Sequence, residues 1–253
     1  MCDVHPNGRI GWRGWPVLDP QKDWLPKGPW LDLSHELHDD IPVPYVFPRP
    51  KFDRVNAMPK DRLNVTKIDM VVHAGTHVDA PSHFFMDAPD FGAIPLERLI
   101  GYGVVWHMEL QPFATITAEH LAAQSPSVTP GDMVLLHTGW SSLWGTDAYA
   151  NNPSLTADAA EWLVERKVAL LGIDFTTPDL ALSQRKDGFD WPVHKILLSQ
   201  GTLIAENIAN LGPLAGQRVE LMLLGLNIKG SDGSPARVIG RAVQSRTVQI
   251  IDN

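Results

Sequence analysis

An α/β fold is what this sequence predicts, because β-branched apolar runs alternate with short capped helical stretches along most of its length. No tract rich in Ser, Gly or charge divides the 253 residues and no internal repeat is visible, so a single domain is expected. Hydrophobic residues make up 44% of the chain, enough for a substantial core.

Residues 1–29 carry Trp12, Trp15 and Trp24 among prolines and glycines and read as an irregular Trp-rich arm, leaving 30–253 as the domain. Such indoles are expected to pack on the chain's own core or on a neighbouring subunit rather than to line a substrate pocket. Residues 31–34 look like a first strand. Pro42, Pro44, Pro48 and Pro50 then fix φ and remove backbone donors, which predicts a rigid surface loop. The β-branched run 65–72 and the run 103–110 read as strands, and 117–124 as a short helix with Thr117 at its N-cap. A strand over 133–137 follows, then a helix over 157–166 capped by Thr156, then a strand over 168–173. In the final third, 201–207 and 219–228 read as strands, and 229–235 as a flexible or ligand-facing loop.

The net charge of −8 and pI near 5.6 argue against nucleic-acid or membrane-surface binding and favour a small-molecule partner. Cys2 is the only cysteine, so no thiolate cluster can hold a metal, and any ion must use His and carboxylate. The first thirty residues lack a continuous apolar stretch and no segment reaches membrane-spanning length, which predicts a cytoplasmic protein.

The most informative stretch is His73-Ala-Gly-Thr-His-Val-Asp-Ala-Pro-Ser-His-Phe84, with three histidines and an aspartate within eleven residues. Gly75 and Pro81 argue against a helix. In an extended chain residues 73, 75, 77 and 79 share a face, so His73, His77 and Asp79 converge and Gly75 leaves room for an ion. Two imidazoles and a carboxylate suit zinc or manganese, and fewer than four protein ligands leave positions open. An isolated histidine in a turn is ordinarily only a polar residue. Burying this many ionisable groups without an ion or partners would be costly. Two distant residues, His194 in the segment 191–198 and Glu206 at the end of an apolar strand, are weak candidates when taken alone.

The stretch resembles the cyclase-like metal hydrolases that include bacterial kynurenine formamidase and isatin hydrolase. The signature His-x-Gly-Thr-His-x-Asp-x-Pro-x-His-Phe is present in full, and Asp32-Leu-Ser-His35, the segment 131–140, Gly172-Ile-Asp174 and the spacing from His194 to Glu206 also match. The resemblance extends from about residue 30 to about 245, and the arm has no counterpart in the compact formamidases. It implies a swivelling β/β/α domain, assembled as a homodimer or larger homo-oligomer. It also implies that His73, His77 and Asp79 hold one ion, that Asp79 can bridge to a second held by His194 and Glu206, and that His83 is the catalytic acid/base. One or two divalent ions are expected per chain, zinc favoured and manganese the alternative.

Such an ion lowers the pKa of water toward neutrality and polarises a carbonyl, while a histidine with an ordinary pKa near 6.5 can protonate a departing nitrogen. These residue types fit hydrolysis of an amide, formamide or cyclic amide, with N-formylkynurenine-like or isatin-like aromatic compounds as candidates. Trp140, Trp144 and Trp191 are candidate flat walls for the ring. The alternatives are a lactone or ester hydrolase using the same site, or a metal-binding protein without catalysis. His83 argues against the last. A serine hydrolase is disfavoured because no Gly-x-Ser-x-Gly elbow is present.

Overall fold

The computed structural model describes residues 11–15 and 24–245, so the rest of the arm and the last eight residues of the domain lie outside the described residues. The strands are β1 (Trp24–Pro26), β2 (Leu31–Asp32), β3 (Lys51–Asn56), β4 (Val65–Asp69), β5 (His77–Asp79), β6 (Ile100–His107), β7 (Thr115–Ile116), β8 (Met133–His137), β9 (Ser154–Leu155), β10 (Leu170–Ile173), β11 (Leu203–Glu206), β12 (Gln217–Gly225) and β13 (Gly233–Ser245). The helices are α1 (Ala118–Ala122), α2 (Ala157–Glu165) and α3 (Pro192–Ser199).

Seven strands close into a barrel in the order β13-β12-β6-β8-β10-β11-β5, with β5 pairing back to β13. The run β6-β8-β10-β11 is parallel, and the pairings through β5, β13 and β12 are antiparallel. Strands buried on both faces need apolar residues at successive positions. In β8, Met133 and Leu135 join Leu170, Leu203 and Ala205 in the core inside the barrel, while Val134 and Leu136 join Leu171, Ile173 and Ile204 in the core beneath the helices. α2 and α3 cover that outer core with Ala159, Ala160, Leu163, Val193, Leu197 and Leu198.

Several sequence expectations are refined. Part of the expected irregular arm is a strand, β1, paired antiparallel to the end of β13. Trp12 and Trp15 meet edge to face at 5.0 Å, and Trp15 packs under the Arg98 guanidinium. Thr117 caps α1 by accepting from the His120 amide, as expected. Thr156 stands at the start of α2 but makes no side-chain cap there; its hydroxyl donates to the Ile116 carbonyl instead, tying the helix start to β7. The strand expected over 65–72 ends at Asp69, and residues 72–76 turn. Among the described residues β3 and β4 pair only with each other, forming an arm whose Val55, Met58, Leu63, Val65 and Ile68 are exposed.

Candidate metal centre

The turn before β5 decides how the histidine motif is presented. Gly75 sits at φ +67, and a methyl group there would lie 2.3 Å from Leu37 Cδ2. The glycine is therefore needed for a left-handed turn under Leu37, and not to leave space for an ion as an extended chain would suggest. Only His77 and Asp79 share a strand face; His73 reaches Asp79 by folding back across the turn, with Nδ1 2.8 Å from Oδ1.

Antiparallel register sets His77 opposite Glu206. Both side chains stand on the face of the sheet that α3 covers, which brings His194 to the same place. His77 Nε2 lies 3.4 Å from Asp79 Oδ1 and 3.4 Å from Glu206 Oε2. His194 Nε2 lies 3.3 Å from Glu206 Oε1 and 3.6 Å from Asp79 Oδ2. Each carboxylate thus offers one oxygen to each histidine. His77 Nε2 and Glu206 Oε1 are buried without a hydrogen-bond partner. These spacings are long for hydrogen bonds, yet ligand atoms on a tetrahedral zinc stand about 3.3–3.4 Å apart when the bonds are about 2.0–2.1 Å. The donor set and the orphaned atoms fit a divalent ion. His73, Asp79 and His83 also bring three ligand atoms within 4.8 Å of one another.

Outer partners fix which ring nitrogen faces inward. His77 Nδ1 donates to the Gly75 carbonyl at 2.8 Å. His194 Nδ1 donates at 2.6 Å to Asp179, which also accepts from the backbone amides of Val193 and His194 at the start of α3. Such partners hold a ligand ring in one tautomer. His83 ends the turn Pro81–His83; its ring stacks on His73 at 3.9 Å, and its Nδ1 lies 3.1 Å from Asp232 Oδ2. The same oxygen is 2.8 Å from His73 Nε2.

Electrostatics follow from crowding. Burial opposes charge on His73 and His77, but Asp79, Asp232 and Glu206 outweigh it and raise them to about 9 and about 10. Burial likewise opposes the His194 cation, yet the hydrogen bond to Asp179 and the nearby carboxylates of Asp79 and Glu206 raise it well above its usual value. Asp79 is driven the other way: burial would raise it, but the His73 charge and three histidine contacts hold it well below the carboxylate range. His83 is lowered, first by burial and then by the His73 and His194 charges despite Asp79. The hydrogen bond from His73 keeps Asp232 ionised, below the usual carboxylate range. The cluster therefore attracts positive charge, as protons or as an ion.

All six site residues expected from the sequence, His73, His77, Asp79, His83, His194 and Glu206, come together. Nothing in the sequence singles out Asp179 or Asp232, although the loop carrying Asp232 has the composition of a ligand-facing one. Of the candidate walls, Trp191 lies near the site at 6.2 Å from Phe84, whose ring is 5.0 Å from His194. Trp140 is buried and bonded to the Tyr149 carbonyl, and Trp144 stacks on His35.

The sequence profile of the family described as "Putative cyclase" matches residues 31–180, more than half of the chain. The chain belongs to the cyclase family. Within it, this protein is 33% identical to the kynurenine formamidase of Bordetella petrii over 180 residues, covering 71% of this chain and 81% of that one. Isatin hydrolase A from Labrenzia aggregata, solved with benzyl benzoate, superposes with a TM-score of 0.77 at 27% identity, covering 85% of this cyclase-family chain and 94% of the other. A structure described as a potential metal-dependent hydrolase with cyclase activity gives 0.69 at 27% identity over 84% and 98%. His194, Glu206 and Asp232 lie beyond the profile match, so their place in the site rests on the geometry above.

Proposed function

We propose that this protein is a metal-dependent hydrolase that cleaves the C–N bond of an amide, formamide or cyclic amide of an aromatic compound, such as an N-formylkynurenine-like or isatin-like molecule. The observation that carries the reading is the pair of buried, unpartnered atoms, His77 Nε2 and Glu206 Oε1, facing Asp79 and His194. His73, His77, Asp79, His194 and Glu206 would hold the metal, zinc in the first instance and manganese otherwise. One or two ions per chain suit this donor set, since Asp79 and Glu206 each face both His77 and His194. A divalent ion bound there supplies hydroxide from water at neutral pH and polarises the substrate carbonyl.

His83 is the proton carrier. Asp232 accepts from Nδ1, which leaves Nε2 with the lone pair, and the lowered pKa keeps the ring neutral and able to take a proton near pH 7. That proton then goes to the departing nitrogen, which is too basic to leave as an anion. Phe84 and Trp191 stand beside His83 and His194 and offer an apolar flank to an aromatic ring. The likeness to a kynurenine formamidase and an isatin hydrolase supports both the bond cleaved and the aromatic substrate. The reading also includes a cytoplasmic location, no nucleic-acid or membrane partner, and a homodimer or larger homo-oligomer. The exposed apolar residues of the β3–β4 arm favour assembly, and sedimentation would count the subunits.

The test strips the protein with a chelator, restores zinc or manganese with metal content measured by mass spectrometry, and assays N-formylkynurenine, isatin and an activated aryl ester. Amide hydrolysis that follows metal content supports the proposal. Full activity in metal-free protein, or cleavage of the ester alone, overturns it.

A further inference from the structure

The two segments that bear His77 and Glu206 are far apart in sequence, and one residue touches both. Asn207 follows Glu206 directly and is buried, with φ +55, a conformation asparagine tolerates better than most residues. Its Nδ2 donates to the Gly75 carbonyl at 2.9 Å, the same oxygen that accepts from His77 Nδ1. Its Oδ1 accepts from the Tyr149 hydroxyl at 2.7 Å. Its backbone oxygen accepts from Thr76 Oγ1 at 2.6 Å, and its amide donates to the Phe175 carbonyl. Every polar group of this residue is used.

The polarity of the side chain matters at both ends. Tyr149 supplies a hydroxyl proton to one end and Gly75 presents a lone pair to the other, so the site needs an acceptor and a donor on one short planar group. A carboxylate of the same shape would set oxygen against the Gly75 oxygen. We propose that Asn207 is the positioning residue of the metal centre: by clamping the Gly75 carbonyl it fixes the His77 ring and its separation from Glu206 before an ion arrives. Asn207 itself is not a ligand and touches no reacting atom. The proposal rests on the reading that His77 and Glu206 hold a metal.

The experiment uses cobalt(II) as the probe. Its affinity is measured by competition with a chromophoric chelator, together with its visible absorption spectrum in the full chain, at a temperature well below thermal unfolding. Asn207→Gly keeps the positive φ and removes the side chain, and affinity should fall about 10- to 100-fold, the range seen when partners of metal ligands are lost. Tyr149→Phe keeps the amide but removes its anchor, and should weaken binding less than Asn207→Gly does. Thr202→Val is the control for mere loss of stability, since it deletes a buried hydrogen bond to the Val168 carbonyl at the opposite end of β11 from Glu206. It should lower the thermal midpoint while leaving cobalt affinity and spectrum as in the parent. Parent-like affinity in Asn207→Gly, or equal effects in Asn207→Gly and Thr202→Val, overturns the proposal. Should Asn207→Gly not fold, parent-like affinity in Tyr149→Phe does so. A parent that binds no cobalt overturns the metal reading and this inference together.

Discussion

Gly75→Ala separates two roles that a glycine inside a histidine motif can have. At φ +67 an alanine takes on the left-handed penalty of about 1–2 kcal/mol. Its methyl would also stand 2.3 Å from Leu37 Cδ2, the far end of a half-buried side chain that can swing off its rotamer for about 0.5–1.5 kcal/mol. The expected destabilisation of the metal-free protein is thus about 1.5–3.5 kcal/mol, or a fall in thermal midpoint of roughly 3–14 °C for a chain of this length. The assay is thermal unfolding in chelator, for the parent, Gly75→Ala, Leu37→Ala and the double variant. Leu37→Ala should relieve the clash but leave the backbone penalty, so the cycle should show a coupling no larger than the rotamer contribution. A glycine kept only to make room for an ion would give the opposite pattern, with lost metal affinity and an unchanged metal-free midpoint. A shift under about 1 °C in the metal-free protein would refute the reasoning.

His83→Ala should retain its metal and fold while kcat for an amide drops about 10²- to 10⁴-fold. An activated ester should lose much less, because its leaving group needs little protonation; equal losses on both substrates, with metal measured in the same preparation, would count against leaving-group protonation. Stability of the metal-free protein should depend on pH through His73 and His77, raised from 6.5 to about 9 and about 10. Groups raised in the folded state contribute fully below 6.5 and lose that contribution as pH rises through the folded values, so the metal-free midpoint should fall between about pH 7 and 10. The loaded protein should fall less, since the ion replaces the protons. Parallel pH profiles for the two forms would refute this.

What was legible in the sequence was what is local. The inner parallel strands announce themselves because both faces are buried, so Met133–Leu136 and Leu170–Ile173 are continuous apolar runs. The histidine motif is legible because its groups crowd into eleven residues. Asp232 was not, because it meets His73 from 159 residues away and sits in a loop whose glycines and serines say nothing of charge. Asn207 was hidden for the same reason, its bond to Gly75 spanning 132 positions. Gly75 reads as clearance for an ion in the sequence because nothing near it reveals Leu37 overhead. Thr156 carries the right residue type for a cap, but the Ile116 carbonyl takes its hydroxyl. In each case a tertiary neighbour decided a role that local chemistry left open.

The closure of the barrel through β5 sets an order of events for a chain made from its N-terminus. β5 leaves the ribosome early, yet its two neighbours are β11 and β13, both from the last third of the sequence. Until residue 206 has emerged, His77 has no glutamate across from it, and until residue 232 follows, His83 Nδ1 has no carboxylate to bond. Ion capture by the proposed ligands therefore waits until Glu206 has been made. A nascent chain paused before β13 presents the histidine motif on a strand with an open edge, the kind of surface that pairs with other chains.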